Sequence, residues 1–189
     1  YSKNKLIQIY NADILKFDIE KICSKNSIIF GNLPYNISSQ ILVKMLRFKK
    51  WPTKFSDLVF MFQKELGEKI VGKFPSPDYG RLSIITTFRL KIKKKFFVSS
   101  NCFLPKPKIT SMVIHFQPKK KLFDIKEIHN LEKITNTLFS NKRKMINKSL
   151  KKILNDDAIK KIIGLKTNLR PSEIKPEFYY KITELFENK

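Results

Sequence analysis

The sequence predicts an α/β domain, a buried sheet with helices packed on it, followed by a small all-α domain. Three observations carry that prediction. Ile28, Ile29 and Phe30 form a short β-branched and aromatic run that stops at Gly31, and helical apolar spacing begins a few residues later. A second run of this kind at 57–62 hands over to a helical pattern at 63–73, again strand before helix. Strand-like runs then stop at Pro118, and beyond it apolar residues recur only at helical spacing.

Residues 6–10 read as a strand leading into Asn11-Ala12-Asp13, where Asp13 is equally a turn or N-cap aspartate. After the run at 28–30, Gly31 permits close backbone approach and Pro34 biases Leu33 towards an extended conformation. Asn32 and Tyr35 are thereby held on a stiff turn at the carboxyl end of a strand, the place where open α/β sheets bind ligands. Ser38 is positioned to cap a helix over 39–48, in which Ile41, Leu42, Met45, Leu46 and Phe48 keep helical spacing. Leu66, Ile70 and Val71 point a helix inward at 63–73, and Pro75 and Pro77 make 74–78 a loop. In 79–90 the β-branched Ile84, Ile85, Thr86 and Thr87 favour a strand by propensity alone. Residues 93–99 and 109–116 form the expected antiparallel pair, joined by a Pro-rigidified loop at 103–108 in which Phe103 either anchors the loop or faces a pocket. Leu131, Ile134 and Leu138, then Met145, Ile146, Leu150, Ile153 and Leu154, give the helical stripes of a second domain, so the division falls at 1–118 and 119–189.

Charge is the strongest compositional signal: 39 Lys and Arg against 16 Asp and Glu give +23. Such an excess concentrates polyanions at the surface, although a lysine-favouring base composition produces the same number. Lys142-Arg143-Lys144 reads as the start of a helix that carries Asn147, Lys148, Lys151 and Lys152, either a phosphate-binding face or a solvated one. Cys23 and Cys102 have no metal-ligand or disulfide spacing, and His115 and His129 have no partner cluster. No apolar stretch reaches membrane-spanning length and no signal-peptide pattern opens the chain, so a cytoplasmic protein without a membrane partner or metal is expected.

Five motifs stand in order along the chain: Asn32-Leu33-Pro34-Tyr35-Asn36, Phe62-Gln63-Lys64-Glu65, Tyr79-Gly80-Arg81-Leu82-Ser83, the stretch from Phe103 to Ser111, and Phe139-Ser140-Asn141-Lys142-Arg143-Lys144. Together they resemble the ribosomal RNA adenine dimethyltransferases, most closely those acting on the small subunit, over nearly the whole chain. The resemblance implies a Rossmann-like S-adenosylmethionine methyltransferase sheet and a helix at 79–90. It also implies N6,N6-dimethylation of two adjacent adenosines near the 3′ end of small-subunit rRNA. The partners would be that rRNA and the immature small ribosomal subunit, met by a monomer.

By the same resemblance Asn32, Leu33, Pro34, Tyr35 and Phe103 are the catalytic positions. Asp13, Ile14 and Asn32 match positions that hold S-adenosylmethionine, and Lys142, Arg143, Lys144, Lys148 and Arg170 match RNA contacts. The chemistry requires such groups, because the exocyclic nitrogen of adenine is a poor nucleophile with its lone pair delocalised into the ring. Acceptors at the Asn32 side-chain oxygen and the Leu33 or Pro34 carbonyl favour a pyramidal nitrogen. Stacking on Tyr35 and Phe103, at about 1–3 kcal/mol per base, offsets the few kcal/mol needed to take a base out of its stack.

The chain departs from the family in two respects: Asn147 stands where the family commonly has a second arginine, which implies one weaker RNA contact, and the glycines differ. Its five glycines, Gly31, Gly67, Gly72, Gly80 and Gly164, are all isolated, so the Gly-rich turn that binds the methyl donor is missing. The expectation is an N-terminally truncated sheet that binds S-adenosylmethionine poorly or not at all as it stands. Two other readings use the same fold: a large-subunit rRNA methyltransferase conferring antibiotic resistance, and a non-catalytic RNA-binding or assembly factor.

Overall fold

A computed structural model describes residues 6–120 and 123–188. A short helix, α1 (Ile19–Ile22), precedes strand β1 (Ser27–Asn32), helix α2 (Ser38–Leu46) and strand β2 (Phe55–Gln63). Helices α3 (Lys64–Val71) and α4 (Arg81–Arg89) follow, then strands β3 (Leu90–Val98) and β4 (Ser111–Pro118). The remainder is helical: α5 (Ile128–Phe139), α6 (Asn147–Lys151), α7 (Asp156–Lys160) and α8 (Pro176–Glu187). The strands form one sheet in the order β1-β2-β4-β3, with β1 parallel to β2 and the other pairs antiparallel.

Strand alternation separates the two faces of the sheet. Leu58, Phe60 and Phe62 of β2 stand opposite Phe116, Ile114 and Met112 of β4, and all six are fully buried. Helices α3 and α4 pack against the sheet, and Gly67 of α3 lies so close to Met112 that a Cβ would come within 2.8 Å of its sulfur. The opposite face carries Val59 and His115, both half-buried, and Phe30, which is 73% exposed.

Helix α4 forms where propensity alone favours a strand. The Gly80 N–H donates to Ser83 Oγ at 3.1 Å, and that hydroxyl donates back to the Gly80 carbonyl at 2.9 Å, which organises the first turn. Ile84, Ile85 and Thr86 are then buried between the sheet and the C-terminal helices, and tertiary burial overrides β-branching. Two tyrosines tie the helical part to this region. Tyr79 donates its hydroxyl to the Ile174 carbonyl at 2.7 Å, and Tyr180 of α8 donates to the Ile84 carbonyl at 3.1 Å. Burial raises the pKa of both phenols, that of Tyr180 to about 12.

Three expectations require correction. Residues 6–10 belong to no strand; the ladder groups of a strand need a neighbour, and β1, the nearest in sequence, pairs among the described residues with β2 alone. Ser38 is the first residue of α2 rather than its cap, and its hydroxyl donates to the Tyr35 carbonyl at 3.0 Å, tying the helix back to the loop before it. Lys142, Arg143 and Lys144 lie in a turn before α6, closed by Lys144 N–H on the Asn141 carbonyl at 2.8 Å. The first apolar anchor after α5 is buried Ile146, whose N–H is held by the Leu169 carbonyl at 2.9 Å, so the helix starts there and not at the basic run. No helix among the described residues is long and apolar enough to cross a membrane.

Candidate active site and RNA interface

Asn32 is the last residue of β1, and the chain leaves the sheet through Leu33, Pro34 and Tyr35 before α2 begins. Gly31 makes this exit possible: a Cβ there would lie 2.5 Å from the Leu33 side chain and 2.9 Å from the Phe60 ring. Asn32 and Pro34 are exposed, whereas Leu33 and Tyr35 are half-buried. The loop is fixed at both ends. The Pro34 carbonyl accepts the Ile37 N–H at 3.2 Å, and the Tyr35 hydroxyl pairs with Ser111 Oγ at 2.8 Å. Ser111 is fully buried at the start of β4, so an aromatic ring from the β1–α2 loop is tethered across β2 to the next strand of the sheet.

Phe103 follows a 3-10 turn (Ser100–Cys102) at the end of β3 and is half-buried in the β3–β4 connection, whose last residues deliver Ser111. Its N–H is held by the Ser100 carbonyl at 3.3 Å. Asp13 sits in a turn that its own groups organise: its carbonyl accepts the Lys16 and Phe17 N–H groups, and its Oδ1 accepts that of Leu15 at 2.9 Å. The carboxylate is exposed, and Ile14 beside it is half-buried against the core.

The basic candidates converge in space although they come from two loops. Arg143, Lys144, Lys148 and Arg170 line one cavity of about 570 Å³, and Lys142, Arg143 and Arg170 line a neighbouring one of about 550 Å³ together with Lys69 and Arg81. All five candidates are exposed, and among the described residues none has a carboxylate partner within ion-pair distance. Lys151 is different, being paired with Asp156 at 3.0 Å. The sequence alone assigns Lys69 and Arg81 no role; Arg81 stands in one of the five motifs, and Lys69 has no local signal. Ser111 likewise closes a motif without a role visible in the sequence. Its contact with Tyr35 spans 76 positions of sequence.

His115 does have partners. Its Nε2 lies 2.6 Å from Asp57 Oδ1, which also accepts Gln117 Nε2 at 2.8 Å. The Ser56 hydroxyl first, then His115 and Gln117, hold the Asp57 carboxyl down to about 2. No group of His, Cys, Asp and Glu able to hold a metal occurs among the described residues.

Comparison with known proteins adds an independent line. Residues 1–188 match the family described as ribosomal RNA adenine dimethylase. Ribosomal RNA small subunit methyltransferase A of Pelagibacter ubique is 39% identical over 183 residues, 96% of this chain and 70% of that protein. Its counterpart in Rhizobium etli is 39% identical over 146 residues, 77% of this chain and 53% of that protein. The chain thus spans between about half and 70% of the length of these relatives. The crystal structure of a dimethyladenosine transferase from Plasmodium falciparum superposes with a TM-score of 0.78 at 22% identity, covering 100% of this chain and 75% of that one. That likeness establishes an α/β methyltransferase fold, and the sequence match establishes the lineage: the chain belongs to the ribosomal RNA adenine dimethylase family.

Proposed function

We propose that the protein dimethylates N6 of two adjacent adenosines near the 3′ end of small-subunit rRNA, with S-adenosylmethionine as methyl donor, and meets its substrate in the immature small subunit. The observation that carries this reading is the β1 exit, where Asn32 is presented at a strand end and Tyr35 is pinned across the sheet by Ser111.

The residues suit the substrate base. The Asn32 side-chain oxygen accepts one amine N–H of the adenine. The Leu33 carbonyl is the better second acceptor, because that of Pro34 already receives the Ile37 N–H while Leu33 is not so engaged among the described residues. Two acceptors draw the nitrogen lone pair out of conjugation and aim it away from the ring. Tyr35 stacks on one face of the base with its tilt set by Ser111, and Phe103 serves the other face.

The fit to S-adenosylmethionine is partial. Asp13 offers a second carboxylate oxygen beside Ile14, which suits the adenine end of the donor together with Asn32. The sequence has no Gly-rich strand-to-helix turn for the charged end. When bound, the donor supplies an electrophilic methyl group. Lys142, Arg143, Lys144, Lys148 and Arg170 hold rRNA phosphates from the helical part, the second domain of a division at 118/119.

The test uses protein expressed from its whole reading frame, labelled S-adenosylmethionine and unmethylated small subunits, with digestion of the RNA to identify the product. N6,N6-dimethyladenosine near the 3′ end that disappears in Asn32→Ala is the expected result. RNA binding without methyl transfer overturns the reaction and leaves a binding or assembly factor.

A further inference from the structure

The outer edge of the sheet is a strongly charged surface that the proposed reaction leaves unused. β3 reads Leu90-Lys91-Ile92-Lys93-Lys94-Lys95-Phe96-Phe97-Val98, and every side chain from Lys93 to Phe97 is exposed. Among the described residues it pairs only with β4, and its register shifts between Ile92 and Lys94, a bulge that re-aims the side chain of Lys93. Above the bulge Lys95 stands opposite Ile114, Phe97 opposite Met112, and Val98 opposite Ser111. Ser111 is the residue that holds Tyr35, so the strand climbs towards the candidate site and then continues through Ser100–Cys102 into Phe103.

Cations and an aromatic ring lie together along this path. Phe97 is 55% exposed, and Lys64 Nζ stands 5.5 Å from its ring centroid. The Lys64 N–H bonds the Thr110 carbonyl at 2.9 Å, which fastens the start of α3 to the end of the Phe103 connection. That connection adds Lys106 and Lys108, both exposed. None of Lys93, Lys94, Lys95, Lys106 and Lys108 has a carboxylate within ion-pair distance among the described residues.

Lysines on an edge strand commonly serve only to prevent pairing with another chain. That role is poorly served here, because exposed Phe96 and Phe97 beside them add the apolar surface that such lysines exist to offset. A groove that tracks a single-stranded nucleic acid combines the same two ingredients, cations for the phosphates and rings for the bases. We infer that β3 and the 103–108 loop form a track for single-stranded RNA flanking the target adenosine. Phe97 stacks on a neighbouring base, and Lys93, Lys95 and Lys106 neutralise phosphates. The identity of the polyanion rests on the methyl-transfer reading; the surface itself does not.

The test titrates a fluorescently labelled, uridine-flanked oligoribonucleotide containing two adjacent adenosines against protein from the whole reading frame at several KCl concentrations. Replacing Lys93, Lys95 and Lys106 together by Gln weakens binding about tenfold and reduces the slope of log affinity against log salt by about 2, the value for three single-strand phosphates. Phe97→Leu weakens binding about fivefold or more with the slope unchanged. Unchanged affinity and slope in the triple variant, even with poorer solubility, overturn the inference and leave the lysines as edge protection. Failure of the parent protein to bind the oligoribonucleotide while it methylates subunits overturns the track and spares the reaction. Binding with the expected slope losses but no methyl transfer supports the track and removes the reaction.

Discussion

The Tyr35 hydroxyl and Ser111 Oγ lie 2.8 Å apart, joining the β1–α2 loop to the first residue of β4. The pair makes the proposed stacking ring a fixed element instead of a free rotor. Tyr35→Phe and Ser111→Ala each remove the bond, and a net hydrogen bond of about 1 kcal/mol sets an expected loss of about fivefold in kcat/KM for methyl transfer. The double variant loses no more than the worse single one, since both remove the same contact. Additive losses in that cycle show that the two residues act separately. Tyr35→Ala, which also removes the ring, loses more by the stacking contribution of about 1–3 kcal/mol.

Arg89 is a buried cation with no carboxylate within ion-pair distance among the described residues, 8% exposed, with its pKa lowered by burial. Its guanidinium donates to the Leu46 carbonyl and, at 2.8 Å, to that of Phe48, and it lies 4.7 Å from the Trp51 ring centroid. It therefore satisfies carbonyls at the C-terminus of α2. Arg89→Met leaves those carbonyls buried and unpaired and costs about 2–4 kcal/mol in urea unfolding. A cost under about 0.5 kcal/mol means that water replaces the guanidinium and that the residue is not a structural cap.

The parts of the fold visible in the sequence are those that local pattern determines. Ile28, Ile29 and Phe30 lie in β1 because β-branching and the stop at Gly31 agree with the tertiary setting. The same local logic fails at Ile84 to Thr87, where a reciprocal Gly80–Ser83 turn and burial on several sides force a helix that only the motif resemblance indicated. At Lys142 to Lys144 good helix formers stay outside the helix, because the backbone is pinned at Ile146 and Asn147 to the carbonyls of Leu169 and Thr167. The candidate site divides in the same way. Asn32 and Tyr35 share a local motif, whereas the Ser111 tether and the gathering of Lys69, Arg81 and Arg170 around the basic turn depend on chain crossings that no window of sequence contains.

Three glycines separate steric from conformational need. A Cβ on Gly72 would lie 2.4 Å from the Asp78 carbonyl oxygen and 2.9 Å from the Tyr79 nitrogen, and backbone cannot swing aside. Gly72→Ala is expected to cost about 1–3 kcal/mol and to loosen the loop that carries Tyr79. At Gly67 the nearest atom is the Met112 sulfur, which can shift, and the Met112 Cβ at 3.0 Å needs only a small adjustment, so alanine costs less than at Gly72; at Gly80 nothing lies closer than 4.0 Å, so alanine is close to neutral. Thermal melts of the three variants check the order Gly72, Gly67, Gly80, and a Gly80→Ala loss as large as that of Gly72→Ala breaks the argument.

Changing Lys142, Arg143 and Lys144 together to Glu reverses charge at the two linked cavities without touching a buried residue. RNA affinity falls, and the salt slope drops by about 2 to 3 if all three hold phosphates. Stability is expected to be unaffected because none of the three is ion-paired among the described residues, so a loss of binding is not assigned to unfolding. Equal affinity and slope exclude the turn as a phosphate site.

Asp57 gives the fold an acid-sensitive bond across the β2–β4 ladder. Its carboxyl is held at about 2 against an ordinary 3.8 by the Ser56 hydroxyl, His115 and Gln117, the last two on β4. A carboxyl with a depressed folded-state pKa stabilises the fold fully above its unfolded value and loses that contribution as pH falls through the folded one. Asp57→Asn keeps the shape but removes the charge. The parent protein is therefore expected to exceed the variant in urea midpoint at about pH 6, with the gap closing between about pH 4 and pH 2. A gap that persists unchanged at the acid end assigns the effect to packing and hydrogen bonding of the amide, and removes the carboxylate charge as the stabilising group.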